Sequence, residues 1–172
     1  MKVNSNNNII LVGPMGSGKT TVGRKLSQRL EKDFFDSDHE IIARTGVSID
    51  HIFEIEGEKG FRQRETDVLK DLCSMTNIVI STGGGAVLSS QNRDLFKISP
   101  HIVYLSSSID QILRRTSKSK TRPILEKSTN RRKTISDIVE AREPFYKELA
   151  SLIINTNGKK LNEVIDEIES KL

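Results

Sequence analysis

The chain has 172 residues, a formal net charge of +4 and a single cysteine, Cys73, which excludes an internal disulfide framework. Its length fits one domain over residues 1–172, and no apolar run approaches the ~18 residues that a membrane span needs. The polar start has no signal-peptide core, and no heptad pattern is present. We therefore expect a monomeric, cytoplasmic protein without a membrane partner.

The first predicted unit is a strand, a glycine-rich loop and the start of a helix. Four apolar residues at 9–12 precede GPMGSGKTT at 13–21, which matches G-x-x-x-x-G-K-[ST]. Such loops point backbone N–H groups and a lysine at phosphates, and their threonine hydroxyl can ligate Mg²⁺. The alternative is a chance glycine-rich turn. The nucleotide-binding residues predicted by this pattern are Gly16, Ser17, Gly18, Lys19, Thr20 and Thr21.

The next predicted strand, residues 34–38, carries two carboxylates at its carboxyl end, Asp36 and Asp38. Ligand sites of open α/β sheets lie at the carboxyl ends of strands, and alternation would put both carboxylates on one side. We interpret Asp36 as part of the Mg²⁺ shell and Asp38 as the partner of a substrate hydroxyl. The alternative is a turn-forming aspartate and a cap for a helix at 39–45.

A helical stretch around 49–55 leads to a second helix that carries Arg62 and Glu65. These residues are three apart and share a helix face, so the carboxylate can orient the guanidinium. An oriented guanidinium is suited to binding a carboxylate ligand. The alternative is a solvated surface ion pair.

A continuous apolar strand at 78–82 runs into Gly83, Gly84 and Gly85. Glycines at this position allow a ligand to approach the backbone closely, or they form only a flexible turn. Further apolar strands are predicted at 101–105 and 152–155, with helices between them. Strands that alternate with helices predict a parallel sheet with helices on both faces.

Residues 114–133 contain nine Lys or Arg and one acid, a local excess of +8, whereas the rest of the chain sums to −4. Polar residues and Pro123 predict a loop here. It is either a lid that brings Arg122 to a transferred phosphoryl group or a solvated loop. Because the basic charge is concentrated in one segment and aromatic residues are few, we expect no nucleic-acid partner.

The following helix has an arginine on its apolar stripe. Arg142 lies seven residues after Ile135, at a position that faces inward in a helix. An inward guanidinium requires an anionic partner or a ligand, because an unpaired buried charge is very costly. Arg142 is therefore a candidate binding residue.

Together these segments resemble the shikimate kinase family, a branch of the P-loop kinases that is similar in fold to the nucleoside monophosphate kinases. Besides the phosphate loop, the motifs that carry the resemblance are FDSD at 35–38, GE at 57–58 with FR and E at 61–65, GGG at 83–85, RP at 122–123 and AREPFY at 141–146. The resemblance implies a three-layer α/β/α fold with a five-stranded parallel sheet. It also implies a substrate-binding helical region at about 37–65 and a mobile lid at about 115–132.

The resemblance further implies transfer of the ATP γ-phosphoryl to the 3-hydroxyl of shikimate, with Mg²⁺ held by Thr20 and, through water, by Asp36. The carboxylate of shikimate would meet two arginines braced by Glu65. The catalytic residues would be Lys19, Asp38 and Arg122; the shikimate-binding residues Asp38, Arg62, Glu65, Gly83, Gly84, Gly85 and Arg142; and the further nucleotide contacts Arg115, Arg122 and Lys159. The alternatives are another small-molecule P-loop kinase, such as a gluconate or nucleoside monophosphate kinase, and a nucleotide-dependent RNA-binding module.

Overall fold

The computed structural model describes the chain over residues 6–117 and 129–172. The elements in chain order are β1 Ile9–Val12, α1 Lys19–Arg29, β2 Asp33–Asp36, α2 Ser37–Thr45, α3 Ile49–Ser74, β3 Ile78–Ser81, α4 Ser90–Phe96, β4 His101–Ser106, α5 Ile109–Thr116, α6 Arg131–Leu149, β5 Leu152–Asn155 and α7 Leu161–Lys171, with a 3₁₀ turn at Ala86–Leu88. No helix of the described ranges is long and apolar enough to cross a membrane.

The five strands form one parallel sheet in the order β2-β3-β1-β4-β5. Side chains alternate along each strand, so the two faces of the sheet pack against different helices. Ile10 and Val12 of β1 join a core with residues of α3, α4 and α6. Ile9 and Leu11 join a second core with residues of α1 and α7. This arrangement confirms the predicted α/β/α fold with a five-stranded parallel sheet.

Strand β1 lies in the middle of the sheet, with β3 on one side and β4 on the other. Ligands of parallel α/β sheets bind at the carboxyl ends of such strands, where the chain turns to opposite sides. The phosphate-loop sequence follows β1, and the glycine triplet follows β3. The topology therefore brings together two segments that are more than sixty residues apart in sequence.

Strand β2 ends earlier than the sequence predicts, because Asp36 caps helix α2. The Asp36 Oδ1 atom accepts hydrogen bonds from the backbone N–H groups of Asp38 (3.0 Å) and His39 (3.2 Å). Such an N-cap satisfies helix donors and starts the helix at Ser37. The prediction of a strand through Asp38 was wrong. The Asp38 side chain reaches the site from the first turn of α2.

The two predicted helices on either side of Gly57 form a single element, α3, with a break at that glycine. Gly57 has φ 71° and ψ −176°, outside the helical region. Helix α5 ends at Thr116 and α6 begins at Arg131. Between them, residues 118–128, which include Arg122, lie outside the described ranges. The lid and its arginine stay predictions, as does the division into a region at 37–65 and a lid at 115–132.

Candidate active site

A cleft of about 800 Å³ lies at the carboxyl ends of β1, β2 and β3. Its lining includes every candidate site residue that the described ranges contain. These are Gly16, Ser17, Gly18, Lys19, Thr20, Thr21, Asp36, Asp38, Arg62, Glu65, Gly83, Gly84, Gly85, Arg115, Arg142 and Lys159. Residues predicted from seven separate stretches of sequence therefore share one cleft.

The phosphate loop ends at Gly18, the N-cap of α1. Gly18 has φ 93°, a left-handed conformation that is costly for residues with a Cβ, and no side chain caps the helix. The first N–H groups of α1 are thus at the edge of the cleft, where a helix N-terminus favours an anion. Lys19 is only 8% exposed, and its ammonium group donates to the carbonyls of Gly13 (2.7 Å) and Pro14 (2.9 Å). The loop therefore combines convergent donors with a nearly buried charge.

Thr20 and Asp36 supply oxygen atoms that fit Mg²⁺. The Thr20 hydroxyl donates to Asp36 Oδ2 at 2.6 Å, while the other carboxylate oxygen caps α2 and fixes the orientation of the side chain. Within residues 6–117 and 129–172, no group of three or more His, Cys, Asp or Glu could hold a metal ion. One hydroxyl and one carboxylate suit Mg²⁺, which binds to few protein oxygens and completes its shell with phosphate and water.

On the opposite side of the cleft, Arg62 is held by a buried acid. Its Nη1 donates to Glu65 Oε2 at 2.7 Å, and its Nε lies 3.6 Å from Glu58 Oε1. The Glu65 side chain is fully buried, so the solvated surface pair that the spacing also allowed is not what forms. Burial raises the pKa of Glu65 to about 7, while the nearby arginines act in the opposite direction.

The glycine triplet packs directly against these charged side chains. A Cβ on Gly85 would lie 2.3 Å from Arg62 Nη2. A Cβ on Gly83 would lie 2.7 Å from Glu65 Oε1 and 3.1 Å from Asp38 Oδ1. Any larger residue would push the charged groups apart, so the glycines permit this close approach of backbone and side chains. Gly83 is anchored further by its N–H, which donates to the Ser37 hydroxyl at 3.0 Å.

Arg142 faces inward from α6, as its position on the apolar stripe predicts. It is 7% exposed, and its Nη1 would lie 3.4 Å from a Cβ on Gly84. Arg142 and Arg62 thus reach the glycine triplet from two different helices. Two guanidinium groups beside one backbone segment have the chemistry that suits a carboxylate, which accepts hydrogen bonds from such donors.

The remaining predicted nucleotide contacts lie at the other end of the cleft. Arg115 Nη1 donates to the Gly16 carbonyl at 3.0 Å, and partial burial, with Arg114 adding to the effect, lowers the pKa of Arg115. Lys159 Nζ pairs with Glu167 Oε2 at 2.5 Å on α7. Both cations are therefore held by neighbours at the edge of the cleft.

Several cleft residues were not identified from the sequence as site residues. Most are apolar and occur at helical spacing, which is the same signal that core residues give. Phe53 and Phe61 pack with ring centroids 4.7 Å apart and form an apolar wall on α3. The unidentified lining residues are Met15, Val22, His39, Ile42, Ile49, Phe53, Phe61, Ser81, Thr82, Thr156, Leu161 and Val164.

Comparisons with known proteins agree over nearly the whole chain. A family model described as shikimate kinase matches residues 15–172. Shikimate kinase of Nitrosospira multiformis is 48% identical over 165 residues, which are 96% of this chain and 84% of that protein. Shikimate kinase of Chromohalobacter salexigens is 45% identical over 160 residues, which are 93% of this chain and 88% of that protein.

A solved structure is also similar. The shikimate kinase from Acinetobacter baumannii in complex with shikimate matches with a TM-score of 0.92 and 44% identity, covering 95% of this chain and 91% of that one. At this identity and coverage the likeness extends beyond the general P-loop fold. The chain belongs to the shikimate kinase family.

Proposed function

We propose that this protein transfers the γ-phosphoryl group of ATP to the 3-hydroxyl of shikimate, giving shikimate 3-phosphate and ADP. One observation carries the proposal: a phosphate loop with Lys19 and two inward guanidiniums, Arg62 and Arg142, open on the same cleft. ATP needs the phosphate loop, and an anionic acceptor needs the two guanidiniums. The family match over residues 15–172 favours shikimate over the gluconate, nucleotide and RNA alternatives.

On the nucleotide side, the N–H groups of the loop bind the ATP phosphates, and Lys19 stabilises the charge of the transferred group. Thr20 and, through water, Asp36 would hold Mg²⁺, which neutralises charge on the β- and γ-phosphates when bound. The fixed geometry of Asp36 supports this role, since one oxygen caps α2 and the other faces Thr20.

On the acceptor side, Arg62 and Arg142 bind the carboxylate of shikimate, and Glu65 keeps Arg62 in position. Asp38 accepts the proton or hydrogen bond of the 3-hydroxyl and orients the oxygen toward the γ-phosphorus. Its position beside Gly83 supports this role, because the backbone there can contact the other hydroxyls. Positioning and electrostatics supply most of the rate, as is general for phosphoryl transfer.

The proposal also includes residues at the edges of the cleft. Arg122 comes from the lid onto the moving phosphoryl group, and Arg115 and Lys159 border the nucleotide. We also propose that the enzyme is active as a monomer, in the cytosol. Size-exclusion chromatography at assay concentrations tests whether the protein is a monomer.

The deciding experiment is an assay of ADP release coupled to NADH oxidation, run with Mg²⁺, ATP and one acceptor at a time. The reaction with shikimate should release ADP and give a product that mass spectrometry identifies as shikimate 3-phosphate. Gluconate and nucleoside monophosphates, offered at the same concentration, should give only background ADP. Turnover on either of these acceptors without turnover on shikimate would overturn the proposal.

A further inference from the structure

A buried tyrosine outside the cleft lining makes a direct hydrogen bond to the glycine triplet. The Tyr146 hydroxyl donates to the Gly84 carbonyl at 2.5 Å, and the residue is fully buried. We propose that Tyr146 is a positioning residue for the acceptor: it fixes the Gly84–Gly85 peptide in the orientation that binds shikimate. This inference rests on the proposed function, since it concerns the same acceptor site.

The position of Tyr146 on α6 couples it to the carboxylate-binding arginine. Arg142 and Tyr146 are four residues apart and so lie on the same face of the helix. The Arg142 guanidinium lies beside Gly84, and it interacts electrostatically with the Tyr146 hydroxyl. One helix face therefore contacts the glycine triplet twice, with a cation that can bind ligand and with a hydroxyl that binds backbone.

The tyrosine ring is itself held in one orientation. It stacks on Tyr104 of β4 with ring centroids 5.0 Å apart and planes at 27°. Aromatic stacking in a close-packed core leaves the ring little freedom, so the hydroxyl is fixed before any ligand arrives. The central sheet and α6 thus set the position of the Gly84 carbonyl.

Fixing this carbonyl has a consequence for the cleft. In a trans peptide the carbonyl and the following N–H point in opposite directions, and no cis peptide is present in the described residues. The Gly85 N–H therefore points away from Tyr146, on a peptide whose residues line the cleft. Without the tyrosine hydroxyl, the Gly84 carbonyl loses this partner, and the peptide can rotate away from the shikimate-binding orientation.

The test compares Tyr146→Phe with Tyr104→Phe. Each variant removes one hydroxyl from the same buried stacked pair, but the Tyr104 hydroxyl interacts with Glu143 and not with the glycine triplet. We expect Tyr146→Phe to raise the KM and Kd for shikimate about 10-fold, the loss of one well-formed hydrogen bond, with the KM for ATP changed less than about 2-fold. Tyr104→Phe should leave both constants near wild type.

An unchanged shikimate Kd in folded Tyr146→Phe would overturn the inference, as would equal rises of both KM values in both variants, which indicate a general core effect. A wild-type protein without activity on shikimate would instead overturn the proposed function.

Hydrogen–deuterium exchange on the wild type gives a second test that needs no variant. The amides of Ala86 and Leu88, which donate to the carbonyls of Gly83 and Gly85, should exchange slowly before shikimate is added. Fast exchange of these two amides that slows only with shikimate would show that the triplet is not held in advance.

Discussion

The two sides of the cleft are built in different ways. The nucleotide side consists mainly of backbone from one continuous stretch, residues 13–21, with Lys19 folded onto the same loop. The acceptor side consists of side chains from α2, α3 and α6 that meet at the glycine triplet. A continuous loop can be recognised locally, whereas a site assembled from distant helices depends on tertiary packing. Substitutions on the two sides should therefore have separable kinetic effects.

The largest expected effect comes from Lys19→Ala. In the proposed mechanism the loop ammonium stabilises the transferred phosphoryl group, so its loss should lower kcat by about 10³-fold or more. The Kd for shikimate, measured by calorimetry without nucleotide, should change little. Lys25→Ala, on the same helix but outside the cleft lining, is the matched control and should keep wild-type activity. A loss of shikimate affinity in Lys19→Ala would break the proposed separation of the two sides.

Arg142→Ala should affect the acceptor side alone. One of two guanidiniums remains, so we expect the KM for shikimate to rise about 100-fold, the loss of a charge-assisted hydrogen bond, while the KM for ATP stays within about 2-fold. Lys147→Ala removes an exposed cation from the same helix and should leave both constants unchanged. Normal shikimate affinity in Arg142→Ala would contradict the carboxylate site assigned to this residue.

The sequence predicts the nucleotide side in more detail than the acceptor side, because one side is a continuous loop and the other is assembled from distant helices. The phosphate loop was predicted residue by residue because it is one continuous motif over residues 13–21, in which Lys19 folds back onto the carbonyls of Gly13 and Pro14. Asp38 was assigned to the cleft by an argument from strand alternation that does not hold, since Asp36 caps α2 and ends the strand. The correct argument needs the capping geometry, and sequence spacing alone does not specify it.

Sequence spacing is also insufficient to predict how charged pairs are buried. The spacing of Arg62 and Glu65 predicts a shared helix face, but it does not distinguish a solvated pair from one whose acid is fully buried. Arg142 was the exception, because a cation on an apolar stripe has to find a partner inside the protein. Lys159 pairs with Glu167 on the last helix, and nothing in the sequence around Lys159 indicates that contact.

A pH experiment tests how the acceptor side is held together. Burial is the largest cause that raises the pKa of Glu65 from its ordinary 4.5 to about 7; Asp38 acts in the same direction, and Arg62 and Arg142 act against it. Between these pH values the folded protein holds a proton that the unfolded chain has released, so the free energy of unfolding falls as pH rises. At about 1.4 kcal/mol per pH unit, the fall between pH 5 and pH 7 is about 2 kcal/mol.

The measurement is urea unfolding at several pH values for wild type, Glu65→Gln and Glu58→Gln. Glutamine cannot ionise, so Glu65→Gln should lack this part of the decline. Glu58 is an exposed acid on the same helix, and its glutamine variant should keep the wild-type slope. Identical slopes for wild type and Glu65→Gln would show that the buried carboxylate does not titrate in this range.

The smallest expected effect is at the edge of the nucleotide side. Arg115 contacts the loop through a single hydrogen bond to the Gly16 carbonyl and is largely exposed, so solvent screens its charge. We expect Arg115→Ala to raise the KM for ATP about 3-fold and to leave the KM for shikimate unchanged, because Arg115 and Arg142 lie on different helices. Arg114→Ala removes the neighbouring cation, which does not line the cleft, and should change neither constant. A rise in the shikimate KM for Arg115→Ala would mean that the two sides are coupled, and the separation inferred from their construction would then fail even if each residue is correctly placed.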